Sequence, residues 1–132
     1  MASLFSSRTF SIKGLGIDIT PIQRIARLID RHDRKTLNLV FTLDEIDRCQ
    51  AANDPHQHYA ICFATKEAVG KALGTGLAGI GWNEIEVDII HTKLIIHLQG
   101  EASIQAKQQG IREFLATWCY WDQHVLVQVL AQ

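Results

Sequence analysis

The chain of 132 residues has little proline, few cysteines and almost no net charge. With two prolines and 47% hydrophobic residues, it can bury enough apolar surface to fold, which excludes intrinsic disorder. Its 13 basic and 14 acidic side chains give a formal net charge of −1. Because that balance provides no global field to attract a phosphate backbone, we expect no nucleic-acid partner.

The three cysteines, Cys49, Cys62 and Cys119, include no C-x-x-C pair, so neither a disulfide framework nor a cysteine zinc site is indicated. No run approaches the ~18 apolar residues of a membrane span, and residues 1–10 are too polar for a signal-peptide core. We therefore expect a soluble, unprocessed cytoplasmic protein with no membrane partner. At this length, residues 1–132 are expected to form one domain.

The first part of the chain predicts a strand followed by a helix. Residues 10–19 have the apolar pattern of a strand, and its two glycines mark a bend or a close backbone approach. Thr20, Pro21 and Gln23 then fit a helix N-cap, a proline at the first helical position and a capping box. The predicted helix has an apolar stripe and, away from it, a basic one formed by Arg24, Arg27 and Arg31.

The rest of the chain alternates between helical and strand patterns. A second capping box, Thr42 to Glu45, opens a short helix, and residues 56–73 form the longest helix, which Gly74 ends. The remaining predicted elements are a hairpin of strands over 85–89 and 94–98, a polar helix over 101–109, and strands over 114–121 and 125–130. We expect an α+β fold with a small antiparallel sheet packed against helices.

Several residues could carry chemistry, but each has an ordinary structural explanation. Residues 74–79 match G-x-G-x-x-G, yet they follow a helix and precede a strand, which is the reverse of a dinucleotide site. The loop is either a flexible connection or a backbone cradle for an anion. Glu67 and Lys71 have the spacing of a surface ion pair. Asp18, in an apolar strand, either faces solvent or is held by a cation.

Taken in order, these segments resemble one known family. They are G-L-G-I-D-I at 14–19 followed by Arg24, F-T at 41–42 with Glu45, F-A-T-K-E-A at 63–68 and K-A-L-G-T-G at 71–76. This arrangement covers nearly the whole chain and resembles holo-acyl-carrier-protein synthase, the small bacterial branch of the 4'-phosphopantetheinyl transferases. The resemblance implies transfer of 4'-phosphopantetheine from coenzyme A to a serine of an acyl carrier protein, with release of adenosine 3',5'-bisphosphate.

The resemblance also implies roles for individual residues and an assembly. Asp18 and Glu67 would bind magnesium, and Lys71 would serve the phosphate and the proton chemistry. A metal held by two carboxylates suits magnesium, which usually keeps waters and bridges to substrate phosphates. The carrier protein would meet the basic helix, and family members look like trimers with sites at subunit boundaries. The implied contacts are Gly74, Thr75 and Gly76 for coenzyme A, and Arg24, Leu28 and Arg31 for the carrier protein.

The chain departs from the family pattern at two places. Cys62 stands where the family has an arginine before F-A-x-K-E-A. Near the C-terminus, Thr117, Cys119 and Tyr120 replace the two serines and the histidine of an S-x-S-H segment. The alternative function is therefore a catalytically silent homologue that binds coenzyme A or a carrier protein without transfer.

Overall fold

A computed structural model describes residues 11–132, so the predictions for residues 1–10 lie outside the described residues. The described helices are α1 (Ile22–Arg31), α2 (Arg34–Leu37), α3 (Leu43–Ala51), α4 (Pro55–Ala72) and α5 (Gly100–Gln108), with a 3-10 turn at Trp82–Glu84. The strands are β1 (Gly14–Pro21), β2 (Ile85–Ile90), β3 (Lys93–Leu98), β4 (Phe114–Trp121) and β5 (His124–Ala131). The predicted α+β class is confirmed. No helix within residues 11–132 is long and apolar enough to cross a membrane.

The five strands form one antiparallel sheet in the order β1-β5-β4-β3-β2. Strand β5 lies between β1 and β4, and its inward side chains Val125, Val127 and Val129 are completely buried. Helix α4 packs over this part of the sheet, because small residues such as Ala64 and Ala68 along it leave room for the strands. The core therefore lies between α4 and one face of the sheet.

Two glycines of β1 allow that strand to lie directly against α4. A Cβ atom at Gly14 would collide with the carbonyl oxygen of Ala72, and one at Gly16 with that of Ala68. Of the two explanations that the sequence allowed, the structure shows the close backbone approach. The consequence is functional, because the approach places the side chains of β1 within reach of those on α4.

The predicted N-cap at Thr20 is wrong. Thr20 is still part of β1 and pairs with Val125 of β5, and α1 begins only at Ile22. Pro21 occupies the N-cap position without a side-chain hydrogen bond, so the predicted capping box with Gln23 does not form. The strand pairing keeps the Thr20 backbone extended, and its hydroxyl donates to the Asp18 carboxylate rather than capping the helix.

The second predicted capping box is confirmed and has an additional role. Thr42 Oγ1 accepts from the Glu45 backbone N–H at 3.1 Å, and Glu45 Oε1 accepts from the Thr42 backbone N–H at 2.8 Å. The Glu45 carboxylate also accepts from Lys66 Nζ, at 2.8 and 3.0 Å, and from the Val87 backbone N–H at 2.8 Å. Lys66 Nζ donates in addition to the Ile85 carbonyl oxygen. Both side chains are 0% exposed, so this ion pair ties α3, α4 and β2 together inside the core.

The sequence analysis missed this ion pair because its partners are 21 residues apart. The only signal was Lys66 itself, a lysine within the most apolar part of a long helix. Elsewhere on α4, Ala68 and Ala72 meet the glycines of β1. Lys71 also reaches β1 from this helix.

Candidate active site

Asp18 of β1 is held through both of its carboxylate oxygens. Thr20, two residues further along the same strand, donates its hydroxyl to Asp18 Oδ2 at 2.5 Å. Lys71 of α4 donates to Asp18 Oδ1 at 3.3 Å and to the Ile17 carbonyl oxygen at 2.9 Å. The Asp18 side chain is 14% exposed and that of Lys71 is 51% exposed, so their ion pair opens to solvent.

Glu67 belongs to the same electrostatic site. It lies one turn before Lys71 on α4 and is half-buried. Its pKa is raised above the ordinary value, first by burial and then by the negative charge of Asp18, while Lys71 and Arg24 act in the opposite direction. The two carboxylates therefore repel each other across a common space. The predicted surface ion pair between Glu67 and Lys71 does not form, since the Lys71 ammonium contacts Asp18 instead.

This donor set fits a hard divalent cation. Over residues 11–132, no group of three or more His, Cys, Asp or Glu side chains is arranged to hold a metal ion. The negative charge of Asp18 nevertheless helps to raise the pKa of Glu67, and a cation close to both carboxylates would oppose that effect. Oxygen donors of this kind suit magnesium, which typically takes one or two carboxylates, with waters and substrate phosphates completing its shell.

The glycine-rich loop begins three residues after Lys71. Gly74 and Gly76 have positive φ angles of 79° and 62°, and a Cβ at either position would meet no atom within 4 Å. Their backbone is therefore open on that side. Thr75 is exposed between them, and its hydroxyl has two acceptors within reach, the Gly76 carbonyl oxygen at 3.0 Å and Gln105 Oε1 at 3.2 Å. The structure thus places Asp18, the end of α4 and the loop along one stretch of surface.

The basic helix α1 borders the same site. The Arg24 guanidinium lies over the Phe63 ring, 5.6 Å from its centroid, and Phe63 stacks on Trp82 with ring centroids 4.9 Å apart. Leu28 is half-buried and Arg31 is exposed on the same helix. Because the charge of Arg24 also acts on Glu67, the helix adjoins the two carboxylates. The sequence analysis did not single out Trp82, whose only signal was an aromatic residue next to the glycine-rich loop.

The residues that depart from the family pattern lie away from Asp18 within this chain. Cys62 is buried on the side of α4 that faces α3, with its Sγ 4.0 Å from Cys49 Sγ. Both cysteines line a cavity of about 300 Å³ beside β2. Tyr120 is 46% exposed near the end of β4, where Thr117 and Cys119 are also exposed.

Known proteins resemble this chain in both sequence and fold. A sequence profile of the 4'-phosphopantetheinyl transferase superfamily matches residues 14–126. The holo-acyl-carrier-protein synthase of Chlamydia felis is 45% identical over 118 residues, which cover 89% of this chain and 94% of the relative. The chain belongs to the holo-acyl-carrier-protein synthase family of this superfamily. Its resemblance to that family in sequence alone is thereby confirmed.

Solved structures of holo-acyl-carrier-protein synthases have the same fold. The enzyme from Neisseria meningitidis superimposes with a TM-score of 0.80 at 29% identity, covering 92% of this chain and 99% of that one. The Helicobacter pylori holo-acyl-carrier-protein synthase, solved in complex with coenzyme A, gives a TM-score of 0.74 at 25% identity and covers 89% and 99%. The chain is therefore an enzyme of the holo-acyl-carrier-protein synthase type.

Proposed function

We propose that this protein transfers 4'-phosphopantetheine from coenzyme A to a serine of an apo acyl carrier protein, with magnesium, and releases adenosine 3',5'-bisphosphate. The observation that carries the proposal is the convergence of Asp18, Glu67 and Lys71 where the glycine-rich loop begins. The proposed transferase domain spans residues 1–132. The proposal includes a cytoplasmic location and no membrane partner. It also includes no nucleic-acid partner, which the balanced charge supports.

Asp18 and Glu67 would hold the magnesium ion. When bound, the ion would supply charge neutralisation at the diphosphate of coenzyme A. Gly74, Thr75 and Gly76 would line the coenzyme A site, because positive φ angles at the glycines leave one side of the loop uncovered for close approach of the phosphates. The N–H groups of Gly74 and Gly76 donate to the Lys71 and Gly70 carbonyl oxygens, so the two glycines would supply room rather than hydrogen bonds.

Lys71 would stabilise negative charge in the transition state, and Glu67 would accept the proton of the acceptor serine. The Lys71 side chain is 51% exposed, so its ammonium would reach the phosphoryl oxygens and the leaving group, where positive charge stabilises the transition state. Glu67 is suited to accept the serine proton, because its pKa is raised towards the working range by burial and by Asp18. The reaction itself is a substitution at phosphorus that depends on positioning these groups.

Helix α1 would dock the carrier protein through Arg24, Leu28 and Arg31. Residues 20–35 contain five basic and two acidic side chains, whereas the chain as a whole is slightly acidic. The resemblance implies a strongly acidic carrier, which such a surface would attract. Because Arg24 lies next to both Phe63 and Glu67, docking there would bring the acceptor serine towards the carboxylates.

Reversing the charge of Arg24 should weaken carrier binding more than it affects the chemistry. In Arg24→Glu we expect the Michaelis constant for the carrier protein to rise about tenfold at low salt, and the effect to shrink as salt screens the charges. The constant for coenzyme A should change little. Arg112→Glu, which makes the same charge change at an exposed position on another part of the chain, is the control. A change confined to the coenzyme A constant would show that the docking face is misassigned.

The proposed assembly is a homotrimer with sites at the subunit boundaries. The face of the sheet that α4 does not cover carries a row of apolar side chains: Leu15, Ile17, Ile19, Leu115 and Trp121, which are 58, 46, 59, 48 and 74% exposed. They lie on β1 and β4, the two strands that flank β5. A contiguous apolar face of this kind needs a partner, and a heterologous contact that closes into a ring would cover it in every subunit.

Light scattering tests the assembly. We expect wild-type protein to have about three times the chain mass of 14.8 kDa at micromolar concentration. Leu115→Glu should lower the mass to that of a monomer, because it places a charge in the proposed interface. Leu39→Glu, at a residue that is 70% exposed but outside this face, should remain trimeric. A wild-type monomer with full transfer activity would reject both the trimer and a shared site.

The alternative, a silent homologue that only binds, is favoured by Cys62 and Tyr120 at positions where the family carries other residues. Chromatography of the nucleotide products separates the two functions. An active transferase should release adenosine 3',5'-bisphosphate only when coenzyme A, apo carrier and magnesium are all present. Carrier binding without that release would support the alternative.

A further inference from the structure

The two oxygens of Asp18 are occupied in different ways, and this inference rests on the function proposed above. Oδ2 accepts a hydrogen bond from the hydroxyl of Thr20, a residue that is only 1% exposed. Oδ1 accepts from Lys71, whose side chain is 51% exposed. Oδ2 is therefore bound by a buried residue, whereas Oδ1 is bound by a solvent-exposed side chain that is free to move away.

Lys71 lies where a cation would be expected. Its ammonium contacts Asp18 Oδ1 and the Ile17 carbonyl oxygen, and its charge also acts on Glu67. A positive group that contacts one carboxylate and whose charge acts on the other supplies part of the charge that a divalent cation would otherwise supply. A metal that takes Oδ1 must therefore displace the ammonium, since two cations within a few ångströms repel each other.

The hydrogen bond from Thr20 determines which oxygen becomes available. The 2.5 Å contact to Oδ2 is a short hydroxyl-to-carboxylate bond, and the partner is fixed by the pairing of Thr20 with Val125 in the sheet. The carboxylate plane is therefore kept in one orientation, with Oδ1 towards α4. Residues that hydrogen-bond to a metal ligand set the orientation of that ligand and affect the affinity for the metal.

We propose that Lys71 is a placeholder for the metal on Asp18, displaced when the metal binds and thereby released towards the substrate diphosphate, and that Thr20 is a positioning residue that keeps Asp18 Oδ1 turned to that site. Metal binding and delivery of the ammonium are then one coupled event. The consequence is unusual for a residue of the reaction centre, because removing Lys71 should improve metal binding while it impairs transfer.

Binding of Mn²⁺ to the full-length protein tests this without any turnover. Mn²⁺ prefers the same oxygen ligands as Mg²⁺, and the free ion is measured by electron paramagnetic resonance during a titration. We expect Lys71→Met to bind Mn²⁺ about three- to tenfold more tightly than wild type, because it removes a competing charge. Lys107→Met removes a charge from an exposed position on α5 and should bind like wild type.

Variants of Thr20 test the second half of the proposal. Thr20→Val keeps the shape but loses the hydroxyl, and we expect its Mn²⁺ affinity to fall about tenfold, whereas Thr20→Ser should stay within about twofold of wild type. Thermal unfolding without metal shows whether each variant is folded. A merely structural role for Thr20 would lower the unfolding temperature without moving the affinity of the folded protein.

The outcomes separate this inference from the proposed function. Equal or weaker Mn²⁺ binding by Lys71→Met overturns the placeholder, even if wild type binds the ion and transfers phosphopantetheine. Unchanged affinity in Thr20→Val overturns its positioning role. If wild-type protein binds no Mn²⁺, the magnesium site of the proposed function fails and this inference fails with it.

Discussion

Asp18→Ala should abolish phosphopantetheine transfer, lowering the initial rate by at least about a thousandfold. Asp18 is the residue at which β1, Lys71 and the proposed metal meet, and its charge also raises the pKa of Glu67. A metal contributes several kcal/mol of transition-state stabilisation, and each factor of ten in rate corresponds to roughly 1.4 kcal/mol. Loss of the Asp18 carboxylate, a proposed metal ligand, is therefore expected to remove most of the transfer rate.

The measurement is the rate at which an apo carrier protein becomes modified, with circular dichroism to show that the variant is folded. Asp44→Ala is the matched control, because Asp44 is an exposed acid in the first turn of α3 and has no contact with the site. Glu67→Ala should behave like Asp18→Ala. An Asp18→Ala enzyme that keeps more than about a tenth of the wild-type rate would contradict the assigned site, since such a loss corresponds to only ~1.4 kcal/mol.

Lys66→Met should lower the free energy of unfolding by about 3–5 kcal/mol, the usual cost of removing one partner from a buried ion pair. Both Lys66 and Glu45 are 0% exposed, so the Glu45 carboxylate would be left charged in the core. It would keep its hydrogen bonds from the Thr42 and Val87 backbone N–H groups, which cannot balance the missing ammonium. The effect on activity should follow from the loss of folded protein.

Urea unfolding at neutral pH measures this change, and a double variant supplies its control. Glu45→Gln combined with Lys66→Met removes both charges and keeps an amide oxygen for one of the two backbone donors, since the Thr42 and Val87 N–H groups bind different oxygens of Glu45. We expect it to be more stable than Lys66→Met alone, because no uncompensated charge remains in the core. A single variant as stable as wild type would show that the pair does not hold α3, α4 and β2 together.

The sequence predicted the elements whose signals are local. The capping box at Thr42 and Glu45 and the alternating pattern of β2 each depend on residues a few positions apart, and both are confirmed. The short helix α2 was missed because its four residues are too few for a helical period. Thr20 was assigned wrongly because the local pattern T-P-x-Q fits a cap, whereas pairing with β5 keeps the strand extended.

For the candidate site, the sequence suggested residues but not their contacts. The resemblance singled out Asp18, Glu67 and Lys71, whereas their contacts depend on β1 lying against α4, which Gly14 and Gly16 make possible. Spacing along the helix favoured an ion pair between Glu67 and Lys71. The tertiary contact with Asp18 prevails because it lies across the close approach of strand and helix, which no helical spacing describes.

The intact mass of an apo acyl carrier protein, after incubation with this protein, coenzyme A and Mg²⁺, tests the proposed transfer. We expect a single gain equal to one phosphopantetheine group on the carrier protein. The gain should be absent when the enzyme or coenzyme A is omitted, or when Mg²⁺ is removed by a chelator. A carrier protein that binds this chain but keeps its original mass under the complete conditions would show that the proposed transfer does not occur.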